Sequence, residues 1–207
     1  LRLRSGKWRT RSAKDAFDSI GYLAQARADG EDARSEELLA VAEKGSPADW
    51  LDFARQARSL ANSTSADEIS QTYSAASKPT FKGLLGDELR NITYAGEQDA
   101  ANAELHAYGA FLAAVQRERR LADAGNFQGA VGAAVSPGLN STEGYAQAMD
   151  SAIATTEKIN QDQFDLIRDQ AFAALNLPSL AFPWLAIAIL GLSAWGIRQR
   201  AAEYTAT

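Results

Sequence analysis

The sequence predicts an all-α protein: an antiparallel four-helix-bundle domain outside a membrane, followed by a C-terminal transmembrane helix. Three observations carry that prediction. Alanine is abundant while the 207-residue chain holds only 5 prolines, a mix that favours helices because Ala has the best helix propensity and Pro breaks helix interiors. No segment sustains the period-two alternation of a half-buried strand. Residues 177–197 run without a charged side chain, and about 20 apolar residues suffice to cross the hydrocarbon core.

The elements follow in order. Residues 1–11 carry Arg2, Arg4, Lys7, Arg9 and Arg11 with no acid. This basic juxtamembrane stretch reads either as the flank of an upstream membrane segment or as a stretch touching lipid headgroups. The first residue is Leu1 rather than Met, so a processed product or a fragment is expected. The extracytoplasmic domain is expected over 12–176. Ser12 followed by Asp15 resembles a helix start, opening a helix over 13–44 that Gly45 ends. Phe17, Ile20, Ala24, Leu38 and Val41 are its apolar positions. Ser46-Pro47 starts the next helix, with Pro where its missing N–H has no intrahelical partner to lose. Trp50, Leu51, Phe53, Ala54, Ala57 and Leu60 form its apolar face.

Ser65 caps a short helix through about residue 77, and Lys78-Pro79-Thr80 breaks the chain again. A helix over 81–94 carries Leu84, Leu85, Leu89 and Ile92. A long helix over 96–124 carries Leu105, Tyr108, Phe111, Leu112, Val115 and Leu121, and Gly125-Asn126 ends it. After the loop at Pro137-Gly138, a last helix over 142–175 turns Tyr145, Met149, Ile153, Phe164, Ile167 and Phe172 inward. Helices of about 30 residues are near 45 Å long, and several amphipathic ones bury their faces best as an antiparallel bundle. Pro178 and Pro183 are expected to separate or kink the last helix against the membrane helix.

Within the span at 177–197, Trp184 and Trp195 lie towards the two ends, where indoles prefer the interface. Arg198 and Arg200 follow at once. Basic flanks favour the cytoplasm, so the tail at 198–207 is expected inside and the domain outside. The competing reading is a buried core helix, which is usually shorter or carries a polar stripe. Trp184, Ala188, Gly191 and Trp195 stand at i, i+4, i+7 and i+11 and share one face. That face reads either as a packing surface for another membrane helix or as a lipid-facing stripe.

Charge and residue inventory narrow the function classes. Net charge is −5, and with the basic start and tail set aside the middle is more acidic still, which repels nucleic acid phosphates. There is no Cys, so no disulfide framework or thiolate site exists. His106 is the only histidine, and its helical neighbours Asn102, Ala103, Gly109 and Ala110 include no carboxylate. A di-metal bundle needs two Glu-x-x-His pairs, so no metal, cofactor or catalytic residue is expected. Asp29, Glu31, Asp32, Glu36 and Glu37 lack the spacing and Gly turn of a calcium loop and read as a solvated helix face. Asn62, Asn91 and Asn140 head Asn-x-Ser/Thr triplets, a short and frequent pattern.

The stretch at 89–97 is the most unusual. Asn91, Thr93 and Tyr94 place polar groups at the junction of two helices. One reading is a cap and turn, with Gly96 making the bend. The other is a contact for a ligand or partner near a bundle end.

A family resemblance rests on the same region. Gly83-Leu-Leu-Gly-Asp-Glu-Leu-Arg-Asn-Ile-Thr-Tyr-Ala-Gly-Glu97 with Ala100-Ala101 resembles actinobacterial membrane sensors of the GlnX type. So do Ile159-Asn-Gln-Asp-Gln-Phe-Asp165 and the ending Trp195-Gly-Ile-Arg-Gln-Arg-Ala-Ala-Glu-Tyr204, and more loosely residues 33–45. The resemblance implies a chemoreceptor-like component that is not an enzyme. It implies an amino-acid-binding lipoprotein as partner outside and an indirect link to a soluble Ser/Thr kinase inside. It covers nearly the whole chain as the last bundle and last membrane helix, while family members also carry earlier membrane segments and another bundle. Two rival readings remain: a structural or accessory subunit packed on a larger membrane complex, and, weakest, a membrane-bound enzyme.

Overall fold

Seven helices form along the chain, in a computed structural model that describes the backbone of residues 2–205 apart from 64, 75, 137 and 139. Side chains are described over 14–173 with the same gaps, and beyond that only at 184, 187, 189, 190, 192 and 193. The helices are α1 (Arg2–Ala42), α2 (Pro47–Leu60), α3 (Ala66–Ile69), α4 (Leu84–Asn91), α5 (Glu97–Asp123), α6 (Phe127–Val135) and α7 (Thr142–Thr205). No strand occurs among the described residues, so the chain is all-α. It divides into two compact units, Leu1–Phe164 and Asp165–Thr207.

In the first unit the helix directions can be read from the pairs that meet. Asp29 of α1 accepts a hydrogen bond from the Ser59 hydroxyl of α2, across a turn in which Lys44 and Gly45 both have positive φ. The Tyr108 hydroxyl of α5 donates to the Ala57 carbonyl of α2 at 2.7 Å, and Phe53 meets Phe111 at 6.2 Å between centroids. Arg34 and Arg27 of α1 pair with Glu143 and Asp150 of α7 at 2.7 and 2.6 Å. Glu97 and Glu118 of α5 bond Asn160 and Thr142 of α7. In every pair, residue numbers rise on one helix as they fall on the other, so each pair is antiparallel.

The buried positions explain why these helices associate. On α1 they include Ala16, Ser19, Leu23, Ala26, Gly30, Ala33, Glu37 and Ala40. On α5 they include Glu97, Ala101, Glu104, Tyr108, Phe111, Val115, Glu118 and Ala122. Both sets step by three and four residues in alternation, the spacing that keeps one seam against a neighbouring helix. Leu23, Leu60, Ile69, Leu105, Tyr108, Phe111 and Ile153 fill the centre. Small residues on α1 bring it close to its neighbours: a Cβ on Gly30 would lie 2.6 Å from the Met149 methyl of α7.

Several elements differ from the sequence reading. The basic stretch at 2–11 is not separate but helical, as the first part of α1, because its Arg, Lys and Leu are good helix formers; its side chains lie outside the described residues. Ser12 is therefore interior to α1 rather than a cap. The helix after Ser65 ends at Ile69, because the Tyr73 backbone is drawn into two hydrogen bonds with the Asn102 side chain at 2.9 and 3.0 Å. α6 was not expected, since Gly129 and Gly132 weaken it; the Asn126 side chain caps it, and Ala130 and Ala134 bury completely. Phe17, Leu51 and Phe172, read as inward, are 64%, 68% and 59% exposed. α7 continues as helix through Pro178 and Pro183, where flanking Leu, Ala and Phe sustain it despite the lost N–H groups.

In the second unit, among the described residues, Trp184, Ile187, Ile189, Leu190 and Leu192 are all more than half exposed. No helix is long and apolar enough to cross a membrane among the described residues. Most side chains of the span at 177–197 lie outside them, including those of Ala188, Gly191 and Trp195, as do those of Arg198 and Arg200.

Candidate functional site

Five glutamates are buried in the first unit: Glu37, Glu88, Glu97, Glu104 and Glu118, none more than 1% exposed. Burying a carboxylate demands compensation, so these residues mark where the core departs from simple packing. Three of them occupy the α5 seam at Glu97, Glu104 and Glu118. Phe111 takes the intervening heptad position. The spacing of 21 residues from Glu97 to Glu118 corresponds to about 31 Å along the helix, so two polar layers form far apart within one core.

The lower layer joins α1, α4, α5 and α7. Glu97 Oε2 accepts from the Thr93 and Tyr94 backbone N–H groups at 2.7 and 2.9 Å. Its Oε1 accepts from the Asn160 amide at 2.7 Å. The Glu97 carboxylate thus shapes the turn before its own helix, which Gly96 enters with φ of 87°. Asn91 Nδ2 donates to the Asp15 carbonyl at 2.9 Å and to Ser19 Oγ at 2.8 Å, and Ser19 lies beside Glu88. Burial first, then the negative charge of Glu97, raises the Glu88 carboxyl to about 8. Burial, then Glu88, raises Glu104 well above the usual carboxylate range.

Glu88 is therefore protonated at neutral pH, because ionising it in a dry site beside another acid is costly. Both oxygens of Glu88 and of Glu104 are buried without a protein hydrogen-bond partner, which disfavours their charged forms further. Tyr94 is half-buried, and its phenol is raised by burial and then by the charges of Glu97 and Asp15.

The upper layer joins α1, α5, α6 and α7 around Arg34. Its guanidinium pairs with Glu37 and, at 2.7 Å, with Glu143, and reaches the Ala134 carbonyl at 3.3 Å. The Thr142 hydroxyl donates to Glu118 Oε1. Burial, then the hydrogen bond and charge of Glu37, raises Glu118 to about 9, against the opposing pull of Arg34 and Arg117. Glu118 is the proton-bearing partner here, as Glu88 is below. The Arg34 hydrogen bond, followed by that of Gln147, holds Glu143 below the usual range.

Of the residues expected to make a contact, Asn91, Thr93 and Tyr94 do come together at the α4–α5 turn. Asn91 ties α4 to α1, and Thr93 Oγ1 donates to the Asn91 carbonyl at 3.0 Å. The acidic run on α1 is not wholly solvated: Glu37 is fully buried and Asp29 is 9% exposed, bonded to Ser59 and Gln25. The five buried glutamates were missed as a group. The seven-residue spacing of Glu97, Glu104, Phe111 and Glu118 is a signal for the three on α5, and none marks Glu37 or Glu88. His106 is exposed and meets the Thr72 hydroxyl at 3.2 Å. Among the described residues no group of three or more His, Cys, Asp or Glu is arranged to hold a metal ion.

No family model, curated protein or solved structure matches this chain.

Proposed function

We propose that the chain is a non-enzymatic component of a membrane sensor, with a helical bundle outside and α7 running into a membrane span at 177–197. The observation that carries this reading is the exposed apolar surface of the second unit, where Trp184, Leu190 and Leu192 are 73%, 69% and 65% exposed. Large apolar side chains standing together in the open mark an interaction or membrane surface. They fall in a run without a charge that Arg198 and Arg200 close, which favours a cytoplasmic tail. The antiparallel pairs α1–α2, α2–α5, α5–α7 and α7–α1 support an up-and-down four-helix bundle for the body.

The stimulus class comes from the sequence resemblance: extracellular amino-acid availability, delivered by a docked solute-binding lipoprotein and passed to a cytoplasmic Ser/Thr kinase. The Asn91–Thr93–Tyr94 turn is the proposed contact. The buried glutamate layers suit a switch, because α7 meets α1 and α5 through polar groups at both ends of the core. A docked partner biases such a bundle only by its differential affinity for two states. The test is a pull-down and calorimetric titration of the full chain with an amino-acid-binding lipoprotein, with and without amino acid. A complex whose affinity changes at least fivefold with amino acid is expected, and absence of any complex sinks the reading.

A second reading, an accessory subunit of a larger membrane complex, rests on exposed Trp184 as part of a packing face with Ala188, Gly191 and Trp195. Copurification in fixed stoichiometry with such a complex, and no lipoprotein binding, would select it.

A further inference from the structure

Between α2 and α5 lies a cavity of about 160 Å³ that neither glutamate layer uses. Trp50, Phe53, Leu112 and Val115 give it an apolar lining, and Arg58 and Arg119 stand with Ser63 and Gln116 on its polar side. Its size is comparable to the roughly 150 Å³ hydrocarbon-lined cavity that holds one benzene, so it has room for one ring or a short branched alkyl group.

The two arginines set the rest of the ligand. The Arg119 guanidinium lies over the Trp50 ring, 5.6 Å from its centroid. Stacking holds a guanidinium in place while leaving its N–H edge free for a planar anion. Among the described residues Arg58 and Arg119 form no ion pair, as is also true of Arg117 and Arg120, whereas Arg27, Arg34, Arg55, Arg90 and Arg168 do. Two unpaired cations beside one apolar cavity, in a chain of net charge −5, are complementary to an anionic ligand with an apolar body.

We propose that this cavity binds a small monocarboxylate bearing one aromatic ring or a short branched alkyl chain. The apolar group fills the space against Phe53, Leu112 and Val115. The carboxylate meets Arg119 and Arg58, the charge-assisted geometry in which arginine is strongest. The site lies wholly in the first unit and does not depend on the membrane reading.

The test titrates the full chain, kept in mild detergent, with phenylacetate and isovalerate by calorimetry and by amide chemical shifts. Acetate serves as the control without an apolar group, and benzyl alcohol as the control without a charge. Saturable binding of phenylacetate or isovalerate, at least tenfold tighter than either control, is expected. Arg119→Gln and Arg58→Gln are substitutions at exposed positions that keep the cooperative fold and weaken binding at least fivefold. Ala54→Phe fills the cavity and abolishes binding. The proposal is overturned if phenylacetate and isovalerate do not saturate, if benzyl alcohol binds as well, or if both arginine variants bind normally.

Discussion

Glu88 and Glu118 keep their protons at neutral pH, with carboxyls raised from 4.5 to about 8 and about 9. In the unfolded chain both ionise near their ordinary value, so above that pH the folded state binds more protons than the unfolded one. Stability then falls as pH rises. The loss starts near pH 4.5 and levels off once pH passes the folded values near 8 and 9. Across pH 5 to 9 the melting temperature should therefore fall steadily. Glu88→Gln and Glu118→Gln each remove one titration. The double variant should therefore show a clearly shallower fall than the wild type, with buried Glu104 supplying what remains, and a wild-type profile that is already flat would refute the protonation states. Arg34 is the complementary case, since it is the buried cation that compensates Glu37. Arg34→Met strands that charge and should destabilise the body by about 3–5 kcal/mol. Adding Glu37→Gln should recover a large part of the loss in urea unfolding, which a merely steric role for Arg34 would not produce.

At the scale of elements, two glycines in helices predict opposite outcomes for the same substitution. A Cβ on Gly109 of α5 would lie 1.9 Å from Ser70 Oγ and 2.9 Å from the Ala66 carbonyl of α3. The serine can rotate, but the backbone of α3 must move, and overpacking of this kind costs about 1–3 kcal/mol. Gly109→Ala should therefore destabilise by about 1–2 kcal/mol, even after the gain of roughly 1 kcal/mol in helix propensity, and should speed amide exchange in α3. Gly132 of α6 has nothing within 4 Å of an added Cβ. Gly132→Ala should stabilise by about 0.5–1 kcal/mol, and matching signs for the two variants would contradict this account of α3 docking. The same elements show what was legible in the sequence. Ser65 and Pro47 marked true helix starts, because caps and Pro at the first helical position act locally. Buried Tyr108, Phe111, Leu112 and Val115 followed from apolar periodicity. α6 was not legible, because its glycines oppose helix formation and only burial of Ala130 and Ala134 favours it. Glu88, Glu97, Glu104 and Glu118 were hidden because residue type argues for exposure. Their burial depends on a seam register and on partners such as Asn160 and Thr142, which come from distant parts of the chain.

At the scale of the whole molecule, the proposed membrane reading raises one question: whether residues 177–197 cross a bilayer and, if so, on which side each flank lies. The lack of any cysteine makes that question direct to answer, since each introduced cysteine is the sole thiol. Gln128, on α6, is exposed, and a cysteine there should leave the core intact. Ala201 follows the Arg198–Arg200 pair and reports on the tail. With residues 177–197 crossing the bilayer and the basic pair inside, a membrane-impermeant maleimide should label Gln128→Cys in intact cells. Ala201→Cys should resist labelling until the membrane is permeabilised, and carbonate extraction should leave both variants in the membrane fraction. Release by carbonate would remove the span, and the exposed apolar side chains of the second unit would then require a protein partner instead. Labelling of both positions in intact cells would remove the cytoplasmic tail. Labelling of Ala201→Cys alone would invert the protein and remove the extracytoplasmic body on which the lipoprotein reading depends. The expected pattern would leave α7 as the element that links an outer body to an inner tail, and so as the path along which a docked partner acts.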